Sequence, residues 1–268
     1  VVSLLSEWGD DARVIAGGHS LIPVMNQRMT DISHLIDLGG IAELKGISID
    51  GDTITIGAMT TQHELIASEA LTKAAPLIRE ASLQIADPQV RYLGTIGGNV
   101  ANGDPANDMP GLMQTLDATY HLTGPEGSRK VKARDFYEAA YFTAREDEEI
   151  LTAISFAKPT GGFAYEKQKR KIGDYATAAA GVMITIEGGK CTAASVALTN
   201  LSDTPVYCAD AVDALVGSSL DDATIKAAVI AAVDASDPVA DTRGPVDFKK
   251  HVAGVIVKKA ITSAVARA

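Results

Sequence analysis

The chain has 268 residues, of which 46% are hydrophobic and 22% charged, and its 24 basic and 34 acidic side chains give a net charge of −10. This composition is typical of a globular protein of one or two domains, and the negative charge argues against general binding to nucleic acid or to an anionic membrane. The chain has only two cysteines, Cys191 and Cys208, which form no CxxC pair. Two thiolates are too few for an iron–sulfur cluster within this chain, and they argue against a structural zinc site. The absence of a disulfide pattern favours the reducing cytoplasm.

Hydrophobic spacing and turn residues predict short elements along the first part of the chain. In order, these are a helix over 1–8, a strand over 12–16, a helix over 21–29, strands over 32–38 and 53–59, helices over 61–68 and 76–86, a helix that begins at Asp108, and strands over 116–122 and 149–156. Ser20 and Asp108 are candidate N-caps, and Thr61 with Glu64 fits a capping box. Because Val1 lies inside a helical pattern, we expect the native N-terminus to lie upstream of it.

Residues 91–108 are unusual because they are rich in glycine and asparagine and carry little charge. A loop of this length in a compact domain is usually functional or disordered. The apolar residues in the segment argue against disorder. We therefore predict an ordered, functional loop at this position.

The last part of the chain has a different pattern, and Pro159-Thr160-Gly161-Gly162 marks the predicted boundary between a first domain of residues 1–157 and a second of residues 158–268. Strands are predicted over 178–187 and 191–198, and alanine-rich helices over 210–216, 221–233 and 246–266. Gly188-Gly189 between the two strands indicates a β-hairpin. Strands and helices do not alternate regularly, which favours an α+β fold over a doubly wound α/β fold.

Two glycine pairs, Gly17-Gly18 and Gly97-Gly98, are candidate ligand sites. Glycine leaves room for a ligand against the backbone, and successive backbone N–H groups form anion-binding concavities. The first pair also precedes a predicted helix N-terminus, which favours negative charge. Two such segments could clamp a diphosphate with amides alone. A single glycine pair is more often a plain turn than a ligand site, and neither pair matches a Walker A or GxGxxG motif.

Four further features have both a functional and a purely structural interpretation. His19 could contact a phosphate or a ring, or it could be a polar residue in a tight turn. Asp108 could accept a hydrogen bond from a ligand hydroxyl as well as cap its helix. The basic run over 167–171 could neutralise a diphosphate or form a solvated face, and Tyr175 could stack on a flat ring or be simply half-buried. No nucleophile–base pair is present, so we predict no catalytic residue.

Several motifs occur together at a characteristic spacing: Ala16-Gly17-Gly18-His19-Ser20-Leu21, Thr95-Ile96-Gly97-Gly98-Asn99, Gly103-Asp104-Pro105 and Asp108. Together they resemble the FAD-binding medium subunits of the molybdenum hydroxylases, the family that includes the flavin portion of xanthine dehydrogenase. The stretches over 57–63, 85–89 and 165–176 are most similar to the carbon monoxide dehydrogenase branch of that family. The likeness covers essentially the whole chain.

The resemblance implies FAD as the cofactor and a flavin-binding fold of the vanillyl-alcohol-oxidase (PCMH) type. This fold has two α+β subdomains, followed by a C-terminal domain of a small antiparallel sheet with helices. The resemblance also implies that the two glycine segments hold the FAD diphosphate through backbone amides and that Asp108 binds ribityl or ribose hydroxyls. Leu151 and Lys167 fall where family members contact the cofactor, and Ile85 and Tyr175 are expected near the isoalloxazine.

The resemblance further implies an electron-transfer function. The expected partners are a large molybdenum-cofactor subunit and a small [2Fe-2S] subunit in a heterohexamer-type complex. These subunits would oxidise CO and pass electrons to FAD, which would deliver them to an external acceptor such as a quinone. Through that acceptor the complex would contact the inner face of the membrane. The alternatives are the FAD subunit of another molybdenum hydroxylase acting on xanthine, an N-heterocycle or an aldehyde, a stand-alone flavin oxidoreductase, and an assembly subunit without cofactor.

Overall fold

The computed structural model describes all residues from 1 to 268. The first subdomain is built around two parallel strands. In chain order it contains α1 (Val2–Trp8), β1 (Ala12–Ile15), α2 (Leu21–Asn26) and β2 (His34–Asp37). Strand β1 pairs with β2 in a register that places Ala12 opposite His34. The chain passes from the end of β1 into α2 through residues 16–20, so this segment lies at the carboxyl end of the strand pair.

The second subdomain is a five-stranded antiparallel sheet in the order β3-β4-β9-β5-β6. Its elements in chain order are β3 (Ile47–Asp50), β4 (Thr53–Gly57), α3 (Gln62–Ala67), α4 (Glu69–Ala74), α5 (Pro76–Ser82), α6 (Pro88–Leu93), α7 (Ile96–Ala101), α8 (Asp108–Thr115), β5 (Thr119–Gly124), β6 (Gly127–Lys132), the hairpin strands β7 (Tyr137–Ala139) and β8 (Phe142–Thr143), and β9 (Ile150–Ala157). The predicted capping box at α3 is confirmed: the Thr61 side chain accepts from the Glu64 N–H, and the Glu64 carboxylate accepts from the Thr61 N–H at 2.7 Å.

Residues 91–108 do not form the long loop that the sequence predicted, because α6, α7 and the start of α8 occupy most of the segment. The Thr95 hydroxyl caps α7 by accepting from the Gly98 N–H at 3.1 Å, so the second glycine pair lies in the first turn of a helix. The N-cap of α8 is Asn107, and Asp108 is the first helical residue. Ser20 is the N-cap of α2, as predicted, but its side chain makes no capping hydrogen bond.

The C-terminal part is an antiparallel sheet in the order β10-β11-β12-β13 with three helices. Its elements in chain order are β10 (Gly162–Gln168), β11 (Ala178–Glu187), β12 (Lys190–Thr199), β13 (Val206–Tyr207), α9 (Ala209–Leu215), α10 (Asp222–Asp234) and α11 (Val246–Val265). The hairpin at Gly188-Gly189 is confirmed, and both glycines have positive φ (58° and 75°), as a tight two-residue hairpin loop requires. The α+β fold with a small C-terminal antiparallel sheet is confirmed. None of the helices combines the length and hydropathy needed to cross a bilayer.

Both cysteines are buried in the core of this C-terminal part. Burial raises the pKa of the Cys208 thiol to about 12, and burial also raises the pKa of Cys191. Since only the thiolate reacts with disulfide reagents, we expect neither cysteine to be labelled by DTNB in the folded protein at pH 8. Both should be labelled once urea unfolds the chain, and rapid labelling of Cys208 under native conditions would contradict this burial.

Candidate functional site

All sequence-predicted site residues except Ile96 line one cleft with a volume of about 500 Å³. They are Ala16, Gly17, Gly18, His19, Ser20, Leu21, Ile85, Thr95, Gly97, Gly98, Asn99, Asp108, Leu151, Lys167 and Tyr175. The Ile96 side chain is instead fully buried in the core, and its N–H donates to the Thr60 carbonyl at 2.9 Å. The cleft therefore collects residues from both subdomains and from the C-terminal part.

The first glycine segment offers a row of free hydrogen-bond donors. The N–H groups of residues 17–21 make no hydrogen bond to any other group of the chain. Gly17, Gly18 and Leu21 are half-buried, whereas His19 and Ser20 are exposed. Half-buried backbone donors normally find a partner, so an unpaired row along a cleft indicates a place for a ligand that accepts hydrogen bonds. A phosphate group meets this requirement because its oxygens are strong acceptors.

The second glycine segment differs, because the amides of residues 96–99 are already paired inside the protein. The N–H groups of Gly97 and Asn99 donate to the carbonyls of Ala58 (2.8 Å) and Thr95 (3.1 Å), and the Gly98 N–H donates to the Thr95 hydroxyl. These amides are therefore not free to hold a diphosphate in the way that the resemblance implied. The glycines instead permit close packing: a Cβ on Gly97 would lie only 2.5 Å from the Ala58 Cβ.

The two glycine segments nevertheless lie side by side. A Cβ on Gly17 would collide with the carbonyl oxygen of Leu93 and would lie 2.8 Å from the Gly94 Cα. A Cβ on Gly98 would lie 3.5 Å from the Ala16 Cβ. Residues 93–98 thus pack against the first segment, and the absence of side chains at Gly17 and Gly98 allows the two stretches of backbone to meet at the cleft.

Asp108 and Lys167 form a buried ion pair in the wall of the cleft. The Lys167 Nζ donates to Asp108 Oδ2 at 2.8 Å, and their side chains are only 1% and 5% exposed, respectively. The Tyr165 hydroxyl donates to Asp108 Oδ1 at 2.6 Å. Burial, with the nearby Asp108 carboxylate, raises the pKa of Tyr165 well above its usual value, so this hydroxyl keeps its proton. In the sequence, Lys167 is part of a basic run, and nothing singles out Tyr165 as a site residue. The ion pair and the hydrogen bond could not be predicted because their acceptor, Asp108, lies nearly sixty residues earlier in the chain.

The remaining predicted residues provide apolar and aromatic surface. Ile85 and Leu151 are buried, and Tyr175 is 43% exposed. The Tyr175 N–H donates to the Asp174 carboxylate at 2.9 Å, and the Arg243 guanidinium lies 5.5 Å from the centre of the Tyr175 ring. These contacts hold Tyr175 at the cleft although its side chain remains partly open to solvent.

Seven polar residues of the cleft were not predicted as site residues from the sequence: Arg13, Gln62, Asn102, Asn107, Arg145, Glu149 and Asp174. The Gln62 side chain is 2% exposed, and neither of its amide atoms has a hydrogen-bond partner. Gln62 belongs to a stretch that carried the family resemblance, which is the only signal that could have drawn attention to it. Isolated arginines carry no motif, so no local pattern pointed to Arg13 or Arg145.

These residues fit FAD on physical grounds. Free amides at residues 17–21 suit a diphosphate, the Asp108 carboxylate suits ligand hydroxyls, and apolar or aromatic surface at Ile85 and Tyr175 suits a flat ring. The cleft volume lies within the range of small-molecule and cofactor sites. No group of three or more histidine, cysteine, aspartate or glutamate side chains is arranged to hold a metal ion.

Comparison with known proteins supports this interpretation. Residues 1–159 match the family model described as the FAD binding domain in molybdopterin dehydrogenase, and residues 163–264 match the CO dehydrogenase flavoprotein C-terminal domain. The chain is 56% identical over 269 aligned positions to the carbon monoxide dehydrogenase medium chain of Afipia carboxidovorans, covering 100% of this chain and 93% of that protein. It is 42% identical to the medium chain from Hydrogenophaga pseudoflava, covering 99% and 93%.

A solved structure of reconstituted CO dehydrogenase from Oligotropha carboxidovorans contains a chain that superposes with a TM-score of 0.98 at 55% identity, covering 100% of this chain and 94% of that one. The resemblance recognised in the motifs is therefore confirmed, and FAD is the cofactor of this family's first domain. The chain belongs to the FAD-binding subunits of the molybdopterin dehydrogenases, and within them to the group that carries the carbon monoxide dehydrogenase flavoprotein C-terminal domain.

Proposed function

We propose that the chain is the FAD-binding electron-transfer subunit of an aerobic, molybdenum-containing carbon monoxide dehydrogenase. The observation that carries the proposal is the 56% identity, along the whole chain, to a carbon monoxide dehydrogenase medium chain. A second medium chain of the same enzyme is 42% identical, which favours CO over the xanthine, N-heterocycle or aldehyde substrates of the alternative. We assign residues 1–157 to the FAD-binding domain and residues 158–268 to the C-terminal domain.

The residues of the cleft have separate tasks in this proposal. The free N–H groups of residues 17–21 bind the diphosphate, and residues 93–98 pack against that segment. Asp108 accepts hydrogen bonds from cofactor hydroxyls, and Ile85 with Tyr175 covers the ring. FAD, when bound, supplies the chemistry of accepting and releasing electrons, while the protein supplies position and electrostatics. No side chain of this subunit acts as a general acid or base.

The partners follow from the same assignment. The relatives are medium chains, so we propose a large molybdenum-cofactor subunit and a small [2Fe-2S] subunit as the other components of a heterohexamer. In this arrangement electrons enter from the small subunit and leave to a quinone. The complex would work in the cytoplasm, at the inner face of the membrane where the quinone is reached.

The test uses the assembled complex and its visible spectrum. We expect the purified complex to be yellow and its flavin absorbance to bleach under CO without oxygen, but not with xanthine, quinoline or an aldehyde. Bleaching by one of those compounds and not by CO would identify another molybdenum hydroxylase. Turnover by the isolated chain would favour a stand-alone flavin oxidoreductase, and a colourless complex that does not take up added FAD would favour an assembly subunit.

A further inference from the structure

Asp108 lies in the wall of the cofactor cleft, where two side chains of the C-terminal part of the chain bond to it. It opens helix α8 of the FAD-binding domain, whereas Tyr165 and Lys167 lie two residues apart on strand β10. Successive side chains of a strand alternate between its faces, so residues 165 and 167 lie on one face. Both side chains bond the same carboxylate: the Tyr165 hydroxyl reaches Oδ1 at 2.6 Å, and the Lys167 Nζ reaches Oδ2 at 2.8 Å.

Strand β10 is itself fixed against the first domain at this position. The Tyr165 N–H donates to the Glu80 carboxylate at 2.9 Å, and the Gln84 side-chain amide donates to the Tyr165 carbonyl at 3.2 Å. The Lys167 Nζ also donates to the Gln84 carbonyl at 3.3 Å. The backbone of Tyr165 is therefore held from both sides, and its ring is 2% exposed. A hydroxyl on so constrained a ring has little freedom to leave its acceptor.

The carboxylate still has capacity for a ligand. An ionised carboxylate has about four acceptor positions. Tyr165 and Lys167 use one position on each oxygen, which leaves others available, and Asp108 lines the cleft. Tyr165 does not line the cleft, so it can act on a ligand only through Asp108.

We propose that Tyr165 is a positioning residue of the flavin site. Its hydroxyl holds the Asp108 carboxylate in one orientation, and in that orientation the remaining acceptor positions of Asp108 meet the cofactor hydroxyls. The inference rests on the proposed function and extends it, because it adds Tyr165 to the residues of the C-terminal domain that serve the cofactor site. Flavin binding and the docking of β10 onto the first domain are then thermodynamically coupled, since both depend on the same carboxylate.

The test compares two buried tyrosines in the assembled complex, from which FAD is removed and then titrated back while flavin fluorescence is followed. Tyr165→Phe removes only the hydroxyl, and we expect the Kd for FAD to rise about tenfold, as is typical for the loss of a hydrogen bond to a charged group. Tyr120→Phe is the matched control, because Tyr120 is fully buried and its hydroxyl lies 2.7 Å from that of Tyr137, yet it does not line the cleft. We expect its Kd to change less than twofold.

A double-mutant cycle separates positioning from a general structural effect. In an Asp108→Asn background, Tyr165→Phe should cause no further rise in the Kd for FAD. If Tyr165→Phe instead raises the Kd by the same factor in that background as in the wild type, the inference is overturned. Equal Kd values for wild type and Tyr165→Phe would overturn it as well. Should Tyr165→Phe fail to assemble, Asp108→Asn alone gives the second measurement, and an unchanged Kd there has the same consequence.

The outcomes for the two proposals are distinct. A wild-type complex that binds FAD but is reduced by a substrate other than CO corrects the proposed function and leaves the Kd comparison decisive for Tyr165. A complex that is reduced by CO while Tyr165→Phe behaves like Tyr120→Phe overturns the positioning role alone. A wild-type complex without FAD affinity overturns both.

Discussion

Replacing Gly17 with valine is expected to abolish FAD retention while leaving the C-terminal domain folded. The new Cβ would collide with the Leu93 carbonyl oxygen and would lie 2.8 Å from the Gly94 Cα, and backbone atoms cannot move aside as the end of a side chain can. The segment of free amides would then be displaced from residues 93–94, against which it packs. Overpacking of this kind typically costs about 1–3 kcal/mol, and at its upper end this corresponds to a roughly 100-fold weaker Kd for FAD.

Gly40→Val is the matched control for this prediction. No atom lies within 4 Å of a Cβ built on Gly40, and its φ is outside the left-handed region. Flavin content after gel filtration and the Kd by fluorescence titration should match those of the wild type for Gly40→Val and fall sharply for Gly17→Val. A folded Gly17→Val protein with wild-type flavin content would show that the contact with residues 93–94 does not control the site.

The second large effect is expected at Lys167. Lys167→Met leaves the buried Asp108 carboxylate without its counter-charge, and removal of one member of a buried ion pair typically costs about 3–5 kcal/mol. For a protein of this size, such a loss lowers Tm by about 10 °C. Scanning calorimetry of the complex, or of the isolated chain, measures the shift directly.

Lys259→Met serves as the comparison because the Lys259 Nζ lies 2.7 Å from the Glu166 carboxylate, but the lysine side chain is 67% exposed. Solvent-exposed pairs of this kind contribute about 0–1 kcal/mol, so its Tm should fall by no more than a few degrees. Similar Tm losses in the two variants would mean that burial of the Asp108–Lys167 pair has no special energetic consequence.

The Gly17 prediction shows how sequence and structure lead to the same experiment for different reasons. From the sequence, Gly17 and Gly97 were expected to leave room for a ligand against the backbone. In the structure, a Cβ at either position meets protein backbone, at Leu93 for one and at Ala58 for the other. The importance of the glycines was therefore predictable from their motif, but the atoms they approach were not.

Local signals predicted the elements that depend on local chemistry. The capping box at Thr61 and the hairpin at Gly188-Gly189 are complete within a few residues, and both are present. Strand β6 was missed because its sequence, GSRKVK, is mostly polar and exposed, and only pairing with β5 makes it a strand. Strand β10 was missed because its basic end was interpreted as a solvated face or an anion site, whereas Lys167 is buried against Asp108.

By itself the sequence determined the family, the cofactor and 15 of the 33 residues that line the cleft, because those depend on motifs that can be recognised along the chain. Only the tertiary structure decided which groups of these motifs remain available to a ligand. The amides of residues 17–21 are free and those of Ile96 and Gly97 are not, because the latter donate to Thr60 and Ala58 across a turn of the fold. When a backbone N–H bonds to a distant segment of the chain, no feature of the local sequence indicates it. Whether an N–H group is free to bind a ligand can therefore be read only from the folded structure.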